Sequence, residues 1–488
     1  MKIKDLIKNI SILEYINFNS KTYKIDIVHL CDNSQNKKLI KNSAFICIEG
    51  INFDSHTVVK TLESCGALFL ICSKKVETKL PYIIVKDTRE VLGMLANNFY
   101  DNPTSKFKLI SVIGTNGKTS TTYFIQKLLK LNKINCGVIG TSGVYINNKR
   151  LNETLTTPDP LLLYKLFNSM VKAKCKIVVM EISAHAISLK KVKNLVSDIC
   201  VFTNFSQDHL DFFKTMENYK NTKFSYFNSY NVKKAIINID DKTGEELYLK
   251  IKDDVCTKTY SLNKNADIYA KNLEFSLNKT SFDLILNDLP YKIITKTSCE
   301  FNVYNILSSV LCLKELGINF DICNCLNRLT NIKGRFNVYK LSKNKFIIID
   351  YAHTPESLNQ VLLNCKKLSN CNLVSLFGCP GNRDEEKREI MGKIAYKYCK
   401  KIYITSDNPK YENPLIICNE ILLGAKEKGE IIEDRSKAVE KAIKNLKENE
   451  ILLIAGKGIE KYQDINGIHF SYSDVKQVRK CIKTYKIK

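Results

Sequence analysis

A glycine-rich stretch after an apolar run is the first sequence feature that could do chemistry. "GTNGKTS", residues 114–120, follows "KLISVI" and precedes "TTYFIQKLLKL", which gives the order strand, loop, helix. Glycines let backbone N–H groups face an anion, and the helix N-terminus adds partial positive charge. Lys118 can reach the β- and γ-phosphates of a nucleotide, and Thr119 can coordinate Mg²⁺. The stretch therefore predicts a phosphate-binding loop, although Val112 breaks the usual spacing of glycines.

Two groups of carboxylate and imidazole residues follow, each just after an apolar run. The segments are "VVMEISAHAIS", with Glu181, Ser183 and His185, and "FTNFSQDHLDFF", with Asn204, Asp208, His209 and Asp211. Oxygen ligands beside a phosphate loop suit a second Mg²⁺, which prefers carboxylates and keeps several waters. Taken alone, His185 is predicted to be a structural histidine. His209 lies between two aspartates, and both a metal-binding and a structural role stay open.

The strongly basic composition does not by itself indicate a nucleic-acid partner. The 488-residue chain carries a net charge of +25, which raises that possibility. Only eight of its 75 basic residues are arginine, however, and the lysines are spread along the whole chain. Nucleic-acid-binding proteins cluster their positive charge. We therefore expect no nucleic-acid binding.

Hydropathy and cysteine usage predict a cytoplasmic protein. No run of eighteen apolar residues occurs, so we expect no membrane insertion, and the N-terminus lacks the pattern of a signal peptide. The 18 cysteines are dispersed, and the closest pair, Cys323 and Cys325, has no matching pair or histidine cluster. The sequence thus predicts reduced, mostly buried cysteines and no zinc site.

The order of apolar runs predicts an α/β protein of three domains. Strand-like runs "NSAFICIEG", "ALFLICS" and "YIIVKDT" and a helical pattern at 89–100 precede "DNPTSKF", which is predicted to be a linker. Buried strands then alternate with helices, which is typical of a parallel sheet. The pattern restarts with "KFIIIDYA". The predicted domains are 1–106, 107–333 and 334–488.

Nine motifs in order give the chain a resemblance to a known family. They are "GTNGKTS", "TTPDP", "EISAHA", "NFSQDHLD", "KGRF", "DYAHTP", "FGCPGNRDEEKR", "TSDNPK" and "AGKGIEKYQ". In this order the chain resembles the Mur ligases, and most of all those that add the third residue of the peptidoglycan stem peptide. The resemblance implies a small N-terminal α/β UDP-binding domain, a central P-loop-type ATPase domain with a parallel sheet, and a C-terminal Rossmann-like domain.

The resemblance also implies a reaction and its partners. ATP would phosphorylate the D-Glu side-chain carboxylate of UDP-N-acetylmuramoyl-L-Ala-D-Glu, and the amine of a diamino acid would attack the acyl phosphate. Mg²⁺ would be the metal, and CO₂ would convert Lys223 to a carbamate that binds it. The protein would be a monomer. Two more distant alternatives are a ligase similar to folylpolyglutamate synthetase and a nucleotide-binding module without catalysis.

Site residues carry over from the resemblance in five sets. The catalytic set is Lys118, Lys223, His209 and Glu181, and the metal set is Thr119, Glu181, His209 and Lys223 as the carbamate. The ATP set is Gly114, Thr115, Asn116, Gly117, Lys118, Thr119, Ser120, Asn305, Arg335 and Asp350. The UDP-substrate set is Ser34, Thr156, Thr157, Ser183 and Lys191. The amino-acid set is Arg383, Asp407, Asn408, Pro409, Lys410, Gly456 and Glu460.

Several positions depart from the family pattern. Leu189 and Lys191 stand where a Gln and an Arg are usual, Gln35 replaces a common Arg, and Ile459 replaces a common His.

The identity of the added amino acid depends on "DNPK", residues 407–410. Members that add meso-diaminopimelate typically read D-N-P-R. Lys410 keeps the positive charge but loses the bidentate fork. A cation here favours a distal carboxylate, so we expect meso-diaminopimelate, with L-lysine or meso-lanthionine as alternatives.

The scarcity of arginine gives a separate hypothesis. Four of the eight arginines, Arg335, Arg383, Arg388 and Arg435, lie in or beside the C-terminal motifs. A lysine-rich chain could retain them where a planar, two-pronged donor is needed for a carboxylate or phosphate.

Overall fold

Three main sheets organise the chain in the computed structural model, which describes residues 1–50, 53–151, 155–277, 279–342 and 344–485. Each sheet has helices on both faces, as the α/β prediction requires. No helix in these ranges is both long and apolar enough to cross a membrane.

The first sheet has five strands in the order β1-β5-β4-β3-β2. Only the β1–β5 pair is antiparallel. Its strands are β1 (Glu14–Ile16), β2 (His29–Cys31), β3 (Ser43–Ile46), β4 (Phe69–Cys72) and β5 (Tyr82–Ile84). Its α-helices are α1 (Ile3–Leu6), α2 (Lys37–Ile40), α3 (Val59–Ser64) and α4 (Thr88–Phe99), and its 3₁₀ helices are Thr22–Lys24, Ser55–Val58 and Pro103–Lys106. The helical pattern predicted at 89–100 is confirmed as α4. The predicted linker contains a 3₁₀ turn.

The second sheet has eleven strands in the order β16-β15-β14-β13-β12-β11-β6-β10-β7-β8-β9. The strands are β6 (Lys108–Ile113), β7 (Cys136–Gly140), β8 (Gly143–Ile146), β9 (Lys149–Arg150), β10 (Ile177–Glu181), β11 (Ile199–Phe202), β12 (Lys234–Asn238), β13 (Cys256–Ser261), β14 (Ile268–Ser276), β15 (Lys279–Leu286) and β16 (Leu289–Thr295). The helices are α5 (Lys118–Leu131), α6 (Pro160–Lys172), α7 (Ala184–Ser188), α8 (Leu210–Phe213), α9 (Met216–Phe224), α10 (Lys242–Ile251), α11 (Glu300–Glu315) and α12 (Ile322–Asn327).

The centre of this sheet is parallel, as predicted, but its two margins are antiparallel. Hairpins join β7 to β9 at one margin and β14 to β16 at the other. Asn287 and Asp288 both have positive φ at the β15–β16 turn. Asn and Asp tolerate that conformation, so this dipeptide is the local signal from which the hairpin could have been predicted.

Alternate residues of β6 explain why this strand is buried on both faces. Ile110 and Val112 pack with Phe124 of α5, whereas Leu109 and Ile113 pack with helix α6 on the other face. Strand side chains point to opposite faces in turn. The loop after β6 is therefore held by a rigid central strand, at the point where the sheet continues to β10 on one side and β11 on the other.

The third sheet has six strands in the order β17-β18-β22-β19-β20-β21, and a separate β23–β24 hairpin follows it. The strands are β17 (Asn337–Ser342), β18 (Lys345–Ile349), β19 (Asn372–Phe377), β20 (Cys399–Ile404), β21 (Gly429–Ile431), β22 (Glu450–Ile454), β23 (Tyr462–Ile465) and β24 (Ile468–Ser471). The helices are α13 (Pro355–Leu368), α14 (Lys387–Tyr398), α15 (Pro414–Ala425), α16 (Arg435–Asn445) and α17 (Asp474–Thr484), with a 3₁₀ turn at Lys426–Lys428.

Candidate active site

A cleft of about 800 Å³ lies where the carboxyl ends of the second and third sheets face each other. Ligands bind beyond the carboxyl ends of parallel strands in open α/β sheets. Its walls include residues from nearly every predicted set, namely 115–120, Thr156, Glu181, Ser183, His209, Asn305, Arg335, Asp350, Arg383, Asp407, Asn408, Lys410, Gly456 and Glu460. Residues predicted for three different ligands are thus neighbours in space.

The glycine-rich loop is shaped by close backbone approaches. Gly117 precedes α5 with a φ of +85°, and a Cβ there would lie 2.7 Å from Oδ1 of Asn305. Only glycine suits both conditions. The Lys118 ammonium is folded over the loop, where Nζ donates to the carbonyls of Gly114 at 2.8 Å and Thr115 at 2.9 Å. Burial lowers the pKa of Lys118.

Residues after β11 brace the same loop. The Asn116 N–H donates to Oδ1 of Asn204 at 2.8 Å, and Oγ1 of Thr203 donates to the Asn116 carbonyl at 2.6 Å. The Ser206 N–H donates to Oγ1 of Thr115 at 3.1 Å. These three bonds tie the loop to the segment that follows β11.

Glu181 ends β10 as a fully buried carboxylate beside the loop. It accepts hydrogen bonds from Thr119 Oγ1 at 3.0 Å, from the Thr141 N–H at 3.0 Å and from Thr141 Oγ1 at 3.1 Å. Burial raises its pKa. Thr141, which the sequence did not indicate, also contacts Thr156 Oγ1 at 2.9 Å. It therefore links the predicted metal ligand to a residue predicted to contact the UDP substrate.

The two histidines differ in where they lie. His209 lines the cleft in a left-handed backbone conformation, with Nε2 3.3 Å from the Asp208 carboxylate. His185 lies outside the cleft lining, and its ring packs on His209 and Phe212 at centroid distances of 4.7 and 4.5 Å. Burial lowers the pKa of both imidazoles and so favours their neutral, metal-ligating form.

Lys223 of α9 is the most unusual charged residue near the loop. Its side chain is almost fully buried, Nζ donates to Thr115 Oγ1 at 3.0 Å, and it lies 4.2 Å from the Tyr219 ring centroid. Among the residues that the structure describes, no carboxylate lies within ion-pair distance of this ammonium. Burial, and then the nearby Lys118, hold the pKa of Lys223 well below its ordinary value.

These oxygen, imidazole and amine groups fit a magnesium centre. Thr119, Glu181 and His209 supply neutral or anionic donors. Lys223 forms no ion pair among the described residues, and its burial beside the loop is explained if carbamylation converts it to an anion. As an ammonium, Lys223 would repel a divalent cation placed beside the loop.

The nucleotide side of the cleft contains Asn305, Arg335 and Asp350. The Arg335 guanidinium lies 4.3 Å above the ring of Tyr351. The buried Asp350 carboxylate accepts hydrogen bonds from the Phe336 N–H at 2.6 Å and the Ala352 N–H at 2.7 Å. Asp350 thus fixes the "KGRF" loop as well as lining the cleft.

The far end of the cleft is organised by a lysine that was not predicted as a site residue. Lys457 is fully buried, and Nζ donates to Oδ1 of Asn408 and Oε2 of Glu460, both at 2.8 Å. Tyr351 donates to the other Glu460 oxygen at 3.3 Å. Lys457 lies in the motif "AGKGIEKYQ" and Tyr351 in "DYAHTP". These motifs are the sequence signal that could have indicated the two residues.

Two cations face this end of the cleft. Lys410 and Arg383 both line it. Burial, and then the charge of Arg383, lower the pKa of Lys410. Gly456 has a φ of +108°, and a Cβ there would lie 2.6 Å from Oδ2 of Asp407. The Asp407 side chain is therefore in close contact with the backbone at Gly456.

Five predicted site residues besides Lys223 lie outside the cleft lining, namely Gly114, Ser34, Thr157, Lys191 and Pro409. Buried Thr157 donates to the Glu181 carbonyl and accepts the Ser183 N–H, both at 3.0 Å. Lys191 forms an ion pair with Asp159 at 2.7 Å.

Two of the four arginines in or beside the C-terminal motifs hold carboxylates, as hypothesised, and these carboxylates belong to the chain itself. Arg388 binds Glu412 and Glu420 at 2.8 and 2.6 Å, and Arg435 binds Asp474 at 2.9 Å. Both guanidinium groups are buried and neutralised by the chain's own carboxylates. Arg335 and Arg383 line the cleft.

Comparison with known proteins gives a family. The sequence pattern of the Mur ligase middle domain matches residues 112–313, and that of the Mur ligase glutamate ligase domain matches residues 334–458. A relative from Clostridium acetobutylicum, named UDP-N-acetylmuramoyl-L-alanyl-D-glutamate–2,6-diaminopimelate ligase 1, is 39% identical over 91% of this chain and 93% of its own length. The chain belongs to the Mur ligase family.

Other relatives of this Mur ligase extend over its full length. A Clostridioides difficile protein, named as a 2,6-diaminopimelate ligase of the same kind, is 36% identical over 99% of both chains. A solved structure of such a ligase covers 100% of both chains, with a TM-score of 0.70 and 26% identity. The folylpolyglutamate synthase of Mycobacterium tuberculosis shares the fold over 75% of this chain, with a TM-score of 0.63 and 14% identity.

Proposed function

We propose that this Mur ligase uses ATP to join the amine of meso-diaminopimelate to the D-Glu side-chain carboxylate of UDP-N-acetylmuramoyl-L-Ala-D-Glu. The observation that carries the proposal is one cleft lined by a phosphate loop, a buried carboxylate–imidazole group and a Lys410–Arg383 pair. The full-length relatives named as 2,6-diaminopimelate ligases support it.

Phosphoryl transfer to a carboxylate requires charge neutralisation rather than covalent catalysis. The loop N–H groups and the N-terminus of α5 would bind the phosphates. Lys118 would exchange its bonds to the Gly114 and Thr115 carbonyls for the γ-phosphate, and so stabilise charge on the transferred group. Mg²⁺, when bound, would supply further neutralisation of the phosphate charge. Thr119, Glu181 and His209 would hold it.

Carbamylation of Lys223 would complete the metal site. Only the neutral amine attacks CO₂, and the lowered pKa of Lys223 favours that form. The reaction joins the amine nitrogen to the CO₂ carbon and releases one proton. It places an anion beside Thr115, where an ammonium would repel the metal.

The cations and anions at the far end of the cleft would select the amino acid. Lys410 and Arg383 would bind the distal carboxylate of meso-diaminopimelate. Glu460, oriented by Lys457, would accept a hydrogen bond from the distal ammonium. L-Lysine lacks the distal carboxylate and would leave both cations without a partner. In a closed site, Lys410 and Arg383 would also repel the ammonium at the end of the L-lysine side chain.

Phosphate release tests the reaction class. With Mg²⁺ and ATP, we expect release only when the UDP-linked dipeptide and meso-diaminopimelate are both present. Lys118→Ala should reduce turnover by at least 10³-fold, on the order of 4 kcal/mol of lost transition-state stabilisation. Lys130→Ala, at an exposed position of the same helix, is the control and should retain activity. Phosphate release that does not depend on the UDP-linked dipeptide, or a folded Lys118→Ala protein with normal turnover, would overturn the proposal.

A further inference from the structure

Three potential metal ligands meet in the first sheet, away from the cleft. Cys47 follows β3, Cys72 ends β4, and His56 lies in the 3₁₀ helix Ser55–Val58. One ligand atom from each lies within 4.8 Å of the other two, and all three side chains are buried. The cysteines are neighbours because β3 and β4 are parallel with Ile46 opposite Ile71, which brings the next residue of each strand side by side.

We propose that Cys47, His56 and Cys72 form a binding site for a thiophilic cation, with Zn²⁺ as the ion of best fit. Two thiolates and an imidazole are typical zinc ligands. Zn–S bonds of about 2.3 Å and Zn–N bonds of about 2.0 Å place tetrahedral ligand atoms roughly 3.5–3.8 Å apart. Because the observed separations are no more than 4.8 Å, the ligand atoms would have to approach one another by no more than about 1.3 Å.

His56 is already oriented as a metal-binding histidine would be. Its Nδ1 lies 2.6 Å from Oδ1 of Asp54, and Asp54 is itself paired with Lys74 at 2.6 Å. Metal-bound histidines almost always donate their other ring N–H to a carboxylate or carbonyl, which fixes the tautomer. With Nδ1–H directed at Asp54, the lone pair is on Nε2, which accepts the Ser73 N–H at 3.1 Å. Zn²⁺ would take the place of that N–H.

Charge balance favours the metal in this buried place. The Asp54 carboxylate is paired with the Lys74 ammonium at 2.6 Å. Asp54 and Lys74 therefore neutralise each other. Two thiolates, a neutral imidazole and Zn²⁺ also sum to zero, so the occupied site adds no net charge to the interior.

The proposal differs from the expectation from sequence that no zinc site is present. Eight residues lie between Cys47 and His56, and fifteen lie between His56 and Cys72, so the three residues form no zinc motif along the chain. Only strand register brings them together. The site is distinct from the proposed reaction, since none of the three residues lines the cleft.

Metal content and cobalt spectroscopy test the site in the full chain. Reduced protein is incubated with Zn²⁺ in excess Mg²⁺ and then desalted. We expect about one tightly bound Zn²⁺ per chain and a higher melting temperature than that of the metal-free protein. Co²⁺ in place of Zn²⁺ should give an intense near-ultraviolet sulfur-to-metal charge-transfer band, which oxygen ligands in the cleft cannot produce.

Two variants of the site and one control variant give matched comparisons. Cys47→Ala/Cys72→Ala should lose the zinc and the band while still unfolding cooperatively, and His56→Gln should weaken zinc binding at least tenfold. The control, Cys136→Ser/Cys175→Ser, removes another pair of neighbouring buried thiols, which belongs to no group of metal ligands with an imidazole in the described structure. It should change neither the zinc content nor the charge-transfer band. Absence of tight zinc in the wild type, a band that persists in the alanine double variant, or a Cys47–Cys72 disulfide in place of free thiols would overturn the proposal.

Discussion

At the scale of single residues, Lys223 is the most informative side chain. Truncation of an ordinary lysine would leave kcat almost unchanged, whereas truncation of a metal-ligating carbamate would lower kcat. We expect Lys223→Ala to lose at least 10²-fold in kcat, because the metal loses an anionic ligand. A small carboxylate such as acetate should restore part of the rate by occupying the vacated space.

Lys220→Ala is the matched control for that experiment. Lys220 is on the same helix but is partly exposed, and its ammonium pairs with Glu246 at 2.9 Å. Its loss should change kcat less than twofold, since surface ion pairs contribute about 0–1 kcal/mol. Equal effects of the two substitutions would show that Lys223 has no special role.

Lys410 gives the second prediction at this scale. Lys410→Ala should raise the KM for meso-diaminopimelate by roughly 10- to 100-fold, which corresponds to a charged hydrogen bond of about 1.5–3 kcal/mol. The KM for ATP should stay within about twofold. Lys410→Arg should retain or improve binding, because the guanidinium adds a bidentate contact. A uniform change in both KM values would contradict a role in amino-acid recognition.

At the scale of elements, Thr157 ties the segment before α6 to the end of β10. Loss of its two hydrogen bonds in Thr157→Val should cost about 1–3 kcal/mol and lower the melting temperature. Thr156→Val instead should raise the KM for the UDP-linked dipeptide with little effect on melting, since Thr156 faces the cleft. The reverse pattern would show that Thr157 contacts substrate.

Contiguous features could be predicted from the sequence, and features that depend on register could not. The loop at 114–120 is visible because strand, glycines, lysine and helix are adjacent in the chain. Thr141 has no such signal, since its partner Glu181 is forty residues away and reaches it only because β7 and β10 are paired. Cys47 and Cys72 meet for the same reason.

Composition also limits what the sequence reveals. In a lysine-rich chain, buried Lys223 and Lys457 look like any other lysine until burial is known. The family resemblance indicated Lys223, whereas Lys457 lies in a motif but its bonds to Asn408 and Glu460 are seen only in the structure. The arginines also need the structure, since Arg388 and Arg435 hold the protein's own carboxylates whereas Arg335 and Arg383 line the cleft.

At the scale of the whole molecule, the cleft joins the phosphate loop on the second sheet to the amino-acid end on the third. Arg335 stacks on Tyr351, and Tyr351 donates to Glu460, so side chains predicted for ATP and for the amino acid are linked through Tyr351. A ligase needs this arrangement, because the acyl phosphate must meet the attacking amine before water does.

The most direct test of the central claim is the mass of the product formed from a panel of amino acids. The full chain is incubated with ATP, Mg²⁺, UDP-N-acetylmuramoyl-L-Ala-D-Glu and, separately, meso-diaminopimelate, meso-lanthionine and L-lysine. We predict a UDP-linked tripeptide with meso-diaminopimelate, formed with one phosphate released per product, and little or none with L-lysine. Robust product with L-lysine and none with meso-diaminopimelate would contradict the assignment of Lys410 and Arg383 and, with it, the proposed substrate.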